Sequence, residues 1–429
     1  RDRSVSRGLG DVYKRQVGSL GNQNVDDYYT YIESIDTSGT INYTFDGESK
    51  ANIAVEDAPK ASDLTWETAT TYDLGIDLGF FGNRLNITAD VYMRDTKNML
   101  CDGMQLPSVY GAQVPRQNIA DMRTRGWELS VAWQDRLAVA GKPLNYSISA
   151  GVSDYTTKVT RYNNPSKLLS KYYVGQTLGE LWGFSVGGFF VSDEEAANYP
   201  VDQSYLNQQI ITSVGERGLR AGDVKYLDLD GDNEISIGSN TVDNPGDQRI
   251  IGNTLPRYAY NFKLGASWNG VDFSAFFQGI GHQDWYPAGN AISFWGPYSR
   301  PYCSFIPTQF MDEVWTETNT GAYFPRARGY EALQTNYSLG SPNDRYLQNI
   351  AYFRLKNLTI GYTIPVLPRF IKDLRVYFSG ENLFYFSPLK KHSKYVDPEQ
   401  ATSSDTRYEN TGVAYNFSKT FSFGVSITL

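Results

Sequence analysis

Histidine and cysteine are nearly missing from this 429-residue chain, with two of each. His282 and His392 lie far apart, and neither belongs to a metal-ligand pair or a triad signature. Cys101 and Cys303 stand in separate loop stretches, and their positions alone leave both a disulfide and two free thiols open. No run approaches eighteen apolar residues, which excludes a transmembrane helix but not spanning strands, whose signal is weaker. Basic residues are outnumbered, 39 Lys and Arg against 47 Asp and Glu, and a net charge of −8 argues against nucleic acid as a partner. Signatures of catalysis are lacking too. Glu194-Glu195 sits in a polar loop and reads as a solvated face, and Gly187-Gly188 lacks the lysine and strand-to-helix setting of a phosphate cradle. The chain does not read as an enzyme.

What is abundant is glycine (39), tyrosine (32) and phenylalanine (22), a profile that suits β structure with aromatic girdles and polar loops. The apolar residues alternate. In the last fifteen, Phe417, Phe421, Phe423, Val425, Ile427 and Leu429 take one phase, and Asn416, Ser418, Thr420, Ser422, Ser426 and Thr428 the other. Successive strand side chains point to opposite faces, so this is a strand with one apolar and one small polar face. The same writing recurs at 71–80, 84–95, 126–134, 144–153, 257–268, 271–280 and 373–386. At 349–364 the phase slips near Lys356 and Asn357, where a bulge would restore the facing. Asp77, Asp90, Glu128 and Lys263 fall mid-strand on the polar face, which fits a wet lumen and would be costly against lipid.

The connections alternate strictly. Phe81-Gly82-Asn83, 137–143, Asn269-Gly270 and 365–373 are short, whereas 100–121, 159–255, 281–348 and 387–414 are long. Asn-Gly is a strong hairpin signal. Every long loop therefore emerges at one end, as in an outer-membrane barrel, where a sandwich would scatter loop lengths. The fold class is all-β, with about nine antiparallel strands between 66 and 429 as the C-terminal part of a transmembrane β-barrel with long extracellular loops. Residues 17–65 read as an extracellular loop region. Residues 1–16, RDRSVSRGLGDVYKRQ, are strongly basic and unlike the rest of the chain, so they read as a non-native, adaptor-like segment ahead of a chain that is a fragment.

Two groups carry candidate chemistry. Asp228, Asp230 and Asp232 occupy positions 1, 3 and 5 of an EF-hand-type loop, with the Glu234 carbonyl at 7 and Asn233 where glycine is usual. Ser239 stands at position 12, so the bidentate ligand would have to come from Asp243 or Asp247. Calcium (Ca2+) at 228–234 would stiffen the loop; the alternative is a turn in which the Asp side chains bond their own backbone. No cofactor is otherwise required. The second group is aromatic: Trp285, Tyr286, Phe294, Trp295, Tyr298, Tyr302 and Trp315, with Arg300 and His282 nearby. Such rings pack against sugar faces while Arg bonds directionally, so they are candidate ligand contacts. Loop self-packing, a contact for a partner, or an aromatic belt are the other readings. Tyr110, Trp182, Phe184 and Phe189 belong to the same argument.

Several stretches carry a resemblance: GSLGNQNVDDYYTY at 18–31, LTWETATTYDLGIDLGFFGNRLNITADVYMRDTKNML at 64–100, NIADMRTRGWELSVAW at 118–133 and GDVKYLDLDGDNEIS at 222–236. DQRIIGNTLPRYAYNFKLGASWNGVDFSAFFQG at 247–279, YFRLKNLTIGYTIP at 352–365 and LRVYFSGENLFYFS at 374–387 continue it in order. With them the chain resembles the C-terminal half of the SusC/RagA family of TonB-dependent outer-membrane transporters from Bacteroidota. Leu429 departs from the family's usual aromatic ending. The resemblance implies a 22-stranded barrel in outer-membrane lipid with an N-terminal plug through which TonB acts. It further implies a SusD-like surface lipoprotein as partner and import of oligosaccharides or, in some cases, peptides. A passive porin, a surface adhesin and a secreted soluble β-protein remain the alternatives.

Overall fold

The computed structural model describes residues 12–22, 35–40, 44–45, 48–49, 52–56, 64–103, 114, 116–212, 218–299, 308, 310–328, 333, 338–365, 370–402, 412 and 414–429. Its frame is one ten-stranded sheet. The strands are β1 (Val12–Asn22), β2 (Glu67–Phe80), β3 (Leu85–Asp102), β4 (Arg116–Val139) and β5 (Lys142–Arg161). They continue as β6 (Arg257–Trp268), β7 (Val271–His282), β8 (Tyr352–Thr363), β9 (Asp373–Phe386) and β10 (Thr420–Thr428). Each pairs antiparallel with its neighbour in this order, an up-and-down meander without crossovers.

Nine of these strands match the expected alternating segments. The tenth is a correction. β1 runs antiparallel along β2 from Val12↔Asp77 to Asn22↔Glu67, so Val12–Gln16 continue the sheet and the start of the 17–65 region is strand rather than loop. Farther on, Ile35–Thr40 pairs with Asn52–Glu56 in a small separate hairpin.

Register turns the alternation of each strand into two continuous faces. One row runs Phe80, Leu85, Trp133, Ile148, Leu264, Ala275, Leu358, Gly380, Phe421 across nine strands. Another runs Asp77, Thr88, Ser130, Gly151, Asn261, Gln278, Arg354, Tyr385. The apolar face is not covered by a second layer: Leu74, Val91, Ile360 and Phe423 are 56, 55, 44 and 84% exposed. A soluble sheet must bury such a face, so this one is built for hydrocarbon.

The turns follow their sequence signals. Asn269 and Gly270 take φ of 50° and 84°, and Ala140 and Gly141 take 49° and 75°, the left-handed pairs that type I′ hairpins need. The slip near Lys356 is a bulge: Phe276 faces Asn357 and Phe277 faces Leu355, which leaves Lys356 unpaired between them. Gly361 serves a close approach. Arg375 on β9 reaches across β8 to Asp272 on β7 with two bonds of 2.8 and 2.6 Å, and a Cβ on Gly361 would stand 2.5 Å from both side chains.

At the long-loop end the connections do not stand apart. Residues from 162–256, 283–351 and 387–402 share one apolar core that includes Phe184, Leu206, Tyr226, Ile235, Trp295, Phe324, Tyr346, Leu389 and Val396. Backbone bonds tie the first two segments together, Phe184 N–H to Pro342 O at 2.9 Å and Asp344 N–H to Phe184 O at 3.1 Å. The result is a packed cap on one rim of the wall.

Candidate functional site

The chemistry-bearing groups lie on the polar face of the wall and in the cap above it. That face mixes short hydroxyls and amides with charges, some of them paired, as Lys14 with Asp77 at 2.5 Å and Arg375 with Asp272 at 2.6 Å. Near the cap, Arg354 is 1% exposed. Its Nη2 donates to Asp397 Oδ1 at 2.5 Å and its Nε lies 2.5 Å from Glu399 Oε1, while Lys356 Nζ bonds Glu399 Oε2 at 2.7 Å. The rings of Tyr385 and Phe417 stand 4.6 and 5.2 Å from the Arg354 guanidinium. The bulge at Lys356 explains the arrangement, because an extra residue lets both cations meet one loop. A buried guanidinium needs such partners, and losing one leaves an uncompensated charge. This anchor was not singled out from the sequence; the available signal was an arginine in the inward phase beside the slip.

The aromatic group read as ligand contacts is corrected by burial. Trp285 is 1% exposed and Phe294, Trp295 and Tyr298 are fully buried. Phe294 meets Trp295 edge-on at 4.8 Å, and Phe324 stacks on Tyr346 at 5.8 Å. Tyr298 donates to Pro325 O at 2.5 Å, and Trp295 Nε1 to Ala288 O at 3.0 Å. Tyr286, half-buried, donates to Leu339 O at 2.7 Å. These rings face one another because long loops with apolar residues lower their free energy by collapsing on themselves. Phe184 belongs to the same core, and Trp315 is buried with the Arg326 guanidinium 4.9 Å from its ring. Arg300, Tyr302, Cys303 and Tyr110 lie outside the described residues.

The acidic loop folds as a chain of Asx turns. Asp228 accepts from Gly231 N–H at 2.6 Å and Asn233 N–H at 2.9 Å, and Asp232 accepts from Glu234 N–H at 2.8 Å. Asn233 has the left-handed φ of 65° expected where such loops carry glycine. Asp228, Asp230 and Asp247 bring carboxylate oxygens within 4.8 Å of one another. Of the two candidates from the following stretch, it is thus Asp247 that joins; Asp243 lies 3.4 Å from Lys167 and its side chain is 77% exposed. Glu234 is exposed. Burial, with Asp230 and Asp228 adding repulsion, pushes the Asp247 carboxyl above its usual range, against two backbone N–H bonds from Leu229 and Ser236.

His392, which no motif claimed, lies flat on Tyr323 with ring centroids 3.5 Å apart, joining the second and third cap segments. Burial first, then Lys391 and Arg345, hold its imidazole down at about 4.

Comparison with known proteins agrees with this geometry. The family described as TonB dependent receptor-like, beta-barrel, matches residues 17–383. TonB-dependent receptor P3 of Formosa agariphila is 24% identical over 97% of this chain and 39% of its own length. TonB-dependent receptor SusC of Bacteroides thetaiotaomicron is 23% identical over 96% of this chain and 36% of its own. The chain thus spans about two fifths of such relatives. Among solved structures, that of the RagAB peptide transporter superposes with a TM-score of 0.66 at 21% identity, covering 98% of this chain and 41% of that one. With apolar alternation outward, hydrogen-bonding groups inward and a sequence match over most of its length, the chain belongs to the TonB-dependent receptor β-barrel family of the outer membrane.

Proposed function

We propose that this chain is the wall and extracellular cap of a 22-stranded TonB-dependent importer that admits oligosaccharides together with a SusD-like lipoprotein. TonB would act through an N-terminal plug, as the resemblance to the SusC/RagA family implies. The observation that carries the reading is the pairing of a lipid-ready outer face with an inner row of Thr88, Ser130, Asn261 and Gln278. Donors and acceptors of this kind, with Asp77 and Arg354 toward the ends of the same row, suit a polyhydroxylated cargo held by many hydrogen bonds. The cap's single core suits a lid element that moves or holds as one body above that row. The loops lie outside the cell in this reading, with the short turns in the periplasm.

Uptake of labelled oligosaccharides by cells carrying the full receptor tests it. Loss of uptake on removing the TonB system or the adjacent lipoprotein is expected. Uptake of peptides with no glycan transport would overturn the cargo, and TonB-independent leakage would favour a porin. A hard cation such as calcium on Asp228, Asp230 and Asp247 is a subsidiary proposal, supported by their convergence. Calcium should then slow proteolysis at 228–247, and Asp228→Asn should abolish the effect; no calcium dependence would reduce the loop to its Asx turns.

A further inference from the structure

The outward phase of β4 reads Arg123, Arg125, Trp127, Leu129, Val131, Trp133. The first two residues are out of character for a face against hydrocarbon. Across the strands, Arg123 faces Asp95 and Lys158, and Arg125 faces Met93. Arg123 holds Asp95 through two bonds of 2.6 and 2.9 Å. Lys97 and Arg125 lie within electrostatic reach of the same carboxylate. Three cations, Arg123, Lys97 and Arg125, thus gather around Asp95, with Lys158 across from Arg123 on the next strand. The next acids in the same phase, Asp121 and Asp154, are already engaged, by Arg161 in bonds of 2.9 and 2.8 Å and by Arg257 in two bonds of 2.6 Å. Lys97, Arg125 and Lys158 are exposed.

Height gives the cluster a meaning. From Trp133 to Arg123, at about 3.4 Å per residue and a tilt of roughly 40°, the strand climbs about 25 Å, the thickness of a barrel's apolar band. Below Trp133 on the same face, Asp135 meets Arg84 at 3.2 Å, a polar rim at the short-turn end. The cations therefore stand at the opposite rim, level with lipid headgroups. Beneath them runs an open groove of about 720 Å³ lined by Val17, Tyr72, Leu74, Val91 and Met93, with Arg15 on its β1 side.

We propose that this outer patch binds the phosphate-bearing headgroup of an outer-leaflet lipid, with an acyl chain lying in the groove. Guanidinium groups match phosphate oxygens in geometry and charge, and a cation at the rim of an apolar band attracts an anionic headgroup. Cargo in the lumen cannot reach these side chains, which share a face with Trp127 and Leu129. The proposal rests on the orientation that puts the long loops outside the cell.

The test uses the full-length receptor in detergent, titrated with diphosphorylated lipid A, its dephosphorylated form, or inorganic phosphate. Lys97→Gln with Arg125→Gln leaves the Arg123–Asp95 bond in place, so the barrel should still assemble, which heat-modifiable gel mobility checks. Expected is a loss of affinity for the diphosphorylated lipid of roughly thirtyfold, from two rim cations removed. The dephosphorylated lipid should bind wild type and variant equally weakly, and Glu128→Gln on the inner face of β4 should change nothing. Equal affinity of wild type and variant, or equal binding of both lipids by wild type, would overturn the proposal. Displacement of the lipid by inorganic phosphate would overturn it in favour of a free-anion site. Protease cleavage of the cap on intact cells reads the orientation independently, so a wrong orientation and a missing lipid site give different results.

Discussion

The wall and the cap use the same residue types for opposite ends. Phe423 on the wall is 84% exposed, whereas Phe294 and Phe324 in the cap are fully buried. The wall is inside-out because its outer solvent is hydrocarbon, so apolar side chains need no protein partners. The cap meets water and must build a close-packed core of the ordinary kind. The difference teaches that side-chain shape should matter in one region and only polarity in the other.

Substitutions can break this contrast in order of effect. Phe324→Ala removes a ring at the centre of the cap core and should cost about 3–5 kcal/mol, read as faster proteolysis of the cap while the wall still migrates as a folded barrel. Asp397→Ala strands Arg354 in a buried site and should cost a similar amount, roughly 3–5 kcal/mol, seen as coupled loss of cap and β8 in denaturant titration. Ile360→Arg at mid-wall should cost about 2–4 kcal/mol in refolding into vesicles, while Ser149→Arg on the inner face should cost far less. If both cost the same, the assignment of faces is wrong.

The next effect depends on pH. The folded His392 pKa of about 4 lies below its ordinary 6.5, so the unfolded chain binds the proton first. The stabilisation from neutral His392 is complete above about 6.5 and drains away as pH falls toward 4. The cap should be digested faster at pH 5 than at pH 7, and His392→Gln should flatten that dependence; an unchanged profile would remove the histidine from the account. Glu313, 3.7 Å away, does not offset this, because burial pushes its own carboxyl up. Smallest of all, Phe423→Leu should shift wall stability by no more than about 0.5 kcal/mol, since lipid adapts to either shape.

Much of the wall was legible because strand chemistry is local. Alternation located nine strands, Asn269-Gly270 identified a hairpin, and a phase slip at Lys356 located a bulge. The cap was not legible. Its core joins Phe184, Trp295 and Val396, residues far apart in sequence whose loops carry no period to reveal their facing. For the same reason the aromatic cluster read as a ligand surface, a partner contact, an aromatic belt or a self-packed core alike. The acidic loop fell between these cases. Its turns and the left-handed Asn233 followed from spacing, but the choice of Asp247 over Asp243 depended on a fold-back that spacing does not encode. β1 escaped for yet another reason: a basic, atypical composition hid five residues that backbone pairing with β2 accommodates.

The amino-acid order by itself determined a two-faced, up-and-down sheet with all long connections at one end, because a period of two and tight turns are properties of neighbouring residues. Tertiary structure alone decided that three long loops become one cap, that Arg354 anchors it through Asp397 and Glu399, and that the loop aromatics are core. Those outcomes depend on which distant surfaces leave water together, and burial of that kind is a property of the whole chain.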